Sequence, residues 1–127
     1  METQKSPAAR KPARAAVAAE IAVVRPEGEL AISDLRALAQ HCFRCAQEGV
    51  VEVVFDLEFV DHLDYRGVGM LCAARQLLVR QGGDLLLANV SPYLAAILRA
   101  AGAHFRLELC STVAAARARF LDDEVRW

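Results

Sequence analysis

The sequence predicts an α/β fold, a mostly parallel sheet of four to five strands covered by four helices. Three observations carry this expectation. Short apolar runs (Ile21–Val24, Val50–Leu57, Asp84–Ala88) alternate with segments of helical period. Glycines at Gly49, Gly82-Gly83 and Gly102 close those segments, where a left-handed residue commonly ends a helix. Capping residues open them, most clearly Ser91 followed by Pro92 at the first helical position. Strands that alternate with helices bury both faces of a parallel sheet.

Ile21–Val24 reads as the first strand. Pro26-Glu27-Gly28 turns the chain, and Glu29–Ile32 is expected to pair back as a second short strand. Ser33, with Asp34 in the first turn, is expected to cap a helix whose apolar face holds Leu35, Leu38, Ala39, Cys42, Cys45 and Ala46. Val50–Leu57, dense in β-branched residues, is the second major strand. A helix follows from about Arg66 to Gln81, with Gly67, Met70, Leu71, Ala74, Leu77 and Leu78 on one face. After the strand Asp84–Ala88, a helix carries the stripe Leu94, Ile97, Leu98 and Ala101. Phe105–Leu109 is the expected last strand. Ser111 then caps a final helix that turns Val113, Ala116 and Phe120 inward.

The 127 residues suit one domain, and 55% apolar content allows a sizeable core. Residues 1–19 read as a flexible basic tail, 20–122 as the folded domain and 123–127 as a C-terminal tail. Lys5, Arg10, Lys11 and Arg14 have no interleaved aromatics, so a solvated tail is expected rather than a nucleic-acid arm. No apolar run approaches the ~20 residues of a membrane span, and Ala15–Ala19 is too short for a signal-peptide core. A soluble cytoplasmic protein without direct membrane insertion is expected.

The four cysteines include a C-x-x-C, Cys42 to Cys45. It falls inside a helix and on its apolar face, whereas redox pairs sit at helix N-termini and zinc needs further ligands at matched spacing. Buried structural thiols are expected. Gly67-Val68-Gly69 lacks the third glycine and the distant acidic residue of a dinucleotide loop, so helix-start packing is expected there. Asp56, Asp61, His62 and Asp64 gather around one loop, but Asp56 ends a strand and Asp64 caps a helix, both structural positions. No catalytic residue, cofactor or metal site is assigned. The helix after Arg66 carries a second strip, Val68, Cys72 and Val79 with Arg75 between them, which reads either as a wide packed face or as a docking strip.

The stretch Asp56-Leu57-Glu58-Phe59-Val60-Asp61-His62-Leu63-Asp64-Tyr65-Arg66-Gly67-Val68-Gly69 resembles the STAS domain, the fold of bacterial anti-sigma factor antagonists, whose motif is Asp, a short loop, then Asp-Ser-Ser-Gly at a helix start. Gly82-Gly83, Asn89-Val90-Ser91-Pro92 and Leu98 to Gly102 fit as well, and the resemblance runs from about Ile21 to Leu121. It implies a STAS fold and a non-enzymatic regulator of signal transduction and transcription. In that family the serine before the glycine is phosphorylated by an anti-sigma factor acting as a kinase. The matching position here is Arg66, with Tyr65 in the place of the other serine, while Asp64 and Gly67 are kept. The resemblance therefore implies a partner-binding surface without that switch, made of Asp61, His62, Asp64, Tyr65, Arg66, Gly67, Val68, Cys72 and Arg75, and it moves the strip towards docking. The implied partner is an anti-sigma factor or a serine-kinase-like regulator. The alternative is an accessory subunit of a membrane complex such as a lipid-transport ABC system. A homodimer could form if Ile21–Ile32 lies at a sheet edge. An arginine cannot accept phosphate from a serine kinase, but it can grip a carboxylate with two parallel hydrogen bonds, from Asp61, Asp64 or a partner.

Overall fold

A computed structural model describes the backbone of residues 20–125 and the side chains of residues 20–122; the expected basic tail lies outside the described residues. In chain order the elements are β1 (Ala22–Val24), β2 (Gly28–Leu30), α1 (Ile32–Gln47), β3 (Glu52–Asp56), β4 (Val60–Leu63), a 3-10 turn (Tyr65–Gly67), α2 (Val68–Arg80), β5 (Asp84–Ala88), α3 (Pro92–Ala100), β6 (Glu108–Cys110) and α4 (Val113–Val125). The main sheet has the order β1-β3-β5-β6 with every pair parallel, and β2 pairs with β4, also in parallel, as a separate ribbon.

Helices cover both faces of the main sheet, which is why every residue of β3 is buried. Side chains alternate along a strand, so Val53 and Phe55 of β3 enter one core with Leu35 of α1, Leu71 and Leu78 of α2, and Leu94 of α3. Val54 enters the other, with Leu86, Ala88, and Ala116 and Phe120 of α4. Each fully buried leucine contributes about 1.5–3 kcal/mol through removal from water. None of the described helices is long and apolar enough to cross a membrane.

The architecture follows the expected order, with local departures. Glu29–Ile32 does not pair back on β1. Gly28, at φ 79°, redirects the chain, and its amide bonds the Phe59 carbonyl at 2.8 Å, which starts a parallel pairing with β4. Ile32 belongs to α1. β4 is a strand that the sequence did not announce, because Asp61 and His62 interrupt its apolar ends. Ser33 is not the cap of α1. The helix begins after Ala31, whose amide is taken back by the Asp34 carboxylate at 2.9 Å, leaving Ser33 inside the first turn. Thr112 rather than Ser111 caps α4, accepting from the Ala115 amide at 3.0 Å. The last strand is Glu108–Cys110, later than expected, because the Arg106 and Leu107 amides both turn back to the Ala103 carbonyl. Helix α4 runs on to Val125, into the expected C-terminal tail.

Candidate functional site

The site is built where β4 runs into α2. The Asp64 amide bonds the Leu30 carbonyl of β2 at 2.9 Å, which fixes the end of the ribbon. The Asp64 carboxylate then does two things. Oδ1 accepts the Arg66 amide at 3.0 Å and caps the 3-10 turn. The same oxygen accepts Arg66 Nε at 3.0 Å, while Oδ2 accepts Nη2 at 2.7 Å, a two-pronged ion pair. The Arg66 side-chain bonds, then its amide bond, hold the Asp64 carboxyl well below the usual carboxylate range, at about 2. The pair lies at the surface, with the Arg66 side chain 66% exposed. A positive charge at a helix start opposes the helix dipole, and the adjoining carboxylate compensates it. Gly67 follows because there is no room for more: a Cβ there would lie 2.8 Å from Leu35 Cδ1.

Beside this pair lies an open groove of about 360 Å³. His62, Leu63, Asp64, Tyr65 and Arg66 form one wall, and Ile97 and Ala100 of α3 the other. Tyr65 and Tyr93 are both exposed aromatics, and the Tyr93 hydroxyl shares a 2.8 Å hydrogen bond with His62 Nδ1. The sequence reading missed Tyr93, Ile97 and Ala100. Tyr93 offered one signal, an aromatic off the Leu94–Ile97–Leu98–Ala101 stripe. Ala100 offered none, since its neighbours on the other wall lie more than thirty residues away in sequence.

The expected cluster of Asp56, Asp61, His62 and Asp64 separates into distinct environments. Asp56, buried at the end of β3, is held by Arg25 Nε at 3.0 Å, Asn89 Nδ2 at 2.9 Å and the Glu58 amide at 3.1 Å. Burial pushes its pKa up, but these donors outweigh it, so the carboxyl titrates below its ordinary value. Asn89 takes a left-handed conformation, φ 56°, at the start of the β5–α3 loop that delivers this contact. Asp61 lies instead with Glu27, Gly28 and the exposed Phe59 around a second open depression.

The strip on α2 is corrected towards packing. Val68 is 0% exposed and Cys72 5%, because α2 lies with that side on the first core, and Gly67 is buried as well. These three support the surface from beneath and cannot touch a partner in this conformation; of the strip, only Val79 is exposed. Arg75 is engaged elsewhere. Its Nε donates to Asp84 Oδ1 at 2.7 Å and its Nη1 to the Arg106 carbonyl at 3.0 Å, at the N-terminal ends of β5 and β6.

Cys42 is buried, and burial, with Cys45 nearby, pushes its thiol up to about 12. Cys45, raised mainly by burial, lies 3.5 Å from His41 Nε2, a partner the sequence did not reveal. Both cysteines hold their protons at neutral pH, which is unlike a reactive thiolate pair. Among the described residues no three His, Cys, Asp or Glu side chains come together to hold a metal ion.

No curated protein matches the chain. Solved structures do. The crystal structure of TM1081 from Thermotoga maritima, a candidate anti-sigma factor antagonist, matches with a TM-score of 0.70 at 16% identity, over 80% of this chain and 87% of that one. The Bacillus anti-sigma factor antagonist SpoIIAA in its unphosphorylated form matches with a TM-score of 0.55 at 23% identity, over 84% and 90%. A sulfate transporter family protein from Wolinella succinogenes matches with a TM-score of 0.64 at 17% identity, over 84% and 88%. These likenesses establish a shared fold. The STAS domain family model matches residues 13–116, most of the chain and all of the elements that build the 62–66 loop, and the protein accordingly belongs to the STAS domain family.

Proposed function

We propose that this chain is a non-enzymatic, cytoplasmic regulatory domain of the anti-sigma factor antagonist type. It binds a protein partner through the exposed loop Asp61–Arg66 and the facing side of α3, and its own motif is not a phosphorylation switch. The observation that carries this reading is the clamp of Arg66 on Asp64 at the start of the 3-10 turn. A guanidinium stands where the resemblance puts an acceptor hydroxyl, and a permanent ion pair replaces a site whose charge would change by about −1.5 to −2 on phosphorylation. The loop keeps one charge state, so the control lies in the partner or in the amount of protein.

The test pairs the protein with a cognate anti-sigma factor kinase. Incubation with ATP and mass spectrometry should find no phosphate on residues 61–67, and label there overturns the unswitched reading. In calorimetry, Arg66→Glu should weaken binding to that kinase at least tenfold. Unchanged binding would remove the loop as the docking site. A second reading is motivated by the sulfate transporter family protein that shares the fold: an accessory domain of a membrane transport complex, for which co-purification with a permease or its ATPase, and no binding to the kinase, would be the result.

A further inference from the structure

Arg66 uses one edge of its guanidinium. Nε and Nη2 face Asp64, and no described residue bonds Nη1. A guanidinium has five N–H donors in a fixed fork, so the end-on edge formed by Nη1 and the second hydrogen of Nη2 remains available. That edge belongs to a side chain 66% exposed, at the mouth of the groove between the loop and α3. The accessible groove walls are chiefly apolar there: the Tyr65 ring, Ile97 and Ala100, backed by the buried Leu63.

We propose that this free edge takes up a carboxylate, an Asp or Glu side chain of the protein partner flanked by aliphatic residues that settle on Ile97 and Ala100, while Asp64 keeps the other edge. The inference rests on the partner-binding reading of this loop and adds the chemistry of the group recognised. Charge decides between anions. Asp64 stays ionised beside Arg66, so the pair is nearly neutral as a whole. A phosphoryl group bearing about −1.5 to −2 charges would meet the like charge of Asp64, whereas a single carboxylate meets half of that repulsion and matches the planar fork. Asp64 is thus a positioning residue: its grip on Nε and Nη2 turns the free edge outward. A lysine in place of Arg66 would carry the charge but could not serve two carboxylates with fixed geometry.

The experiment follows the Arg66 side-chain Nε–Hε resonance of the full chain by NMR, with three short synthetic peptides as probes: one glutamate between leucines, its glutamine twin and its phosphoserine twin. The glutamate peptide should shift Arg66 Nε–Hε together with Ile97 and Ala100 in a saturable way, with a dissociation constant of roughly 1–10 mM. The glutamine twin should bind about tenfold more weakly, and so should the phosphoserine twin. Arg66→Lys should lose the glutamate preference while keeping the backbone spectrum of the native fold. Equal shifts from glutamate and glutamine, stronger shifts from phosphoserine, or no shift at Arg66 each overturn the proposal. If the peptides fail while Arg66→Glu still weakens kinase binding, the partner-binding reading stands and only the carboxylate recognition falls.

Discussion

Two Asp–Arg pairs sit at opposite ends of the parallel sheets and do different work. Arg66 pairs with Asp64 across two residues, at the surface, where the ribbon strand β4 gives way to α2. Arg75 pairs with Asp84 across nine residues, with side chains only 23% and 17% exposed, at the N-terminal end of β5. The second pair is extended by the Arg106 carbonyl and by Glu108, which also accepts Arg119 Nη2 at 2.7 Å. That network ties α2, on one face of the sheet, to α4 on the other. The same charge chemistry fastens tertiary structure when its groups are half-buried and shared, and adds little to the fold when it is local and wet, which leaves the Arg66 pair for the proposed partner recognition.

Four substitutions test this contrast. The largest effect is expected at the glycine next to the fastening pair. A Cβ on Gly83 would collide with the Val51 backbone carbonyl, which cannot step aside, so Gly83→Ala should destabilise the fold by about 3 kcal/mol or more in chemical denaturation. Next comes the glycine beside the surface pair. Gly67→Ala meets the end of the Leu35 side chain, which can give, and a loss of about 1–2 kcal/mol is expected. If Gly67→Ala proved the costlier of the two, the ranking of the two ends would be reversed.

Arg75→Ala leaves the half-buried Asp84 carboxylate without its side-chain donor, while Glu108 keeps Arg119, and should cost about 1–2 kcal/mol. Arg66→Ala should leave the denaturation midpoint where it is, because the guanidinium faces water and Asp64 keeps the backbone amide of residue 66 as a donor, yet it should abolish partner binding. A large drop in stability from Arg66→Ala would mean that the loop pair is structural after all. The smallest effect is read by pH. The folded Asp64 pKa is depressed, so whatever the pair contributes is complete above the ordinary carboxylate value near 3.9 and is lost only as pH falls through about 2. An NMR titration of the Asp64 carboxyl carbon should show that low midpoint in the native protein, and a return towards the ordinary value in Arg66→Ala.

Local chemistry was legible in the chain wherever it dominates. The strand Asp84–Ala88, the Ser91 cap with its 3.1 Å bond from the Leu94 amide, and the inward turn of Ala116 and Phe120 follow from composition and period. Asp64 as a cap and Arg66 as an odd charge at a helix start were visible too. The strip of Val68, Cys72 and Val79 was not resolved by period, because two adjacent sides of α2 are covered, one by the sheet and one by α1, and a sequence does not say how many neighbours a helix has. β4 escaped notice because its two central residues, Asp61 and His62, are both exposed, leaving no alternation to read.

By itself, the sequence determined the class of fold, the order of strands and helices apart from β4, and the placing of a positive charge at the start of a helix, since these depend on neighbours within a few residues. Only the tertiary structure decided that β2 pairs with β4 rather than β1, that α3 supplies the second wall of the groove through Ile97 and Ala100 and a hydrogen bond from Tyr93 to His62, and that Arg66 spends one edge on Asp64 and keeps the other. Those outcomes depend on which distant backbone is close enough to accept a hydrogen bond, and that distance is set by the packing of the whole domain.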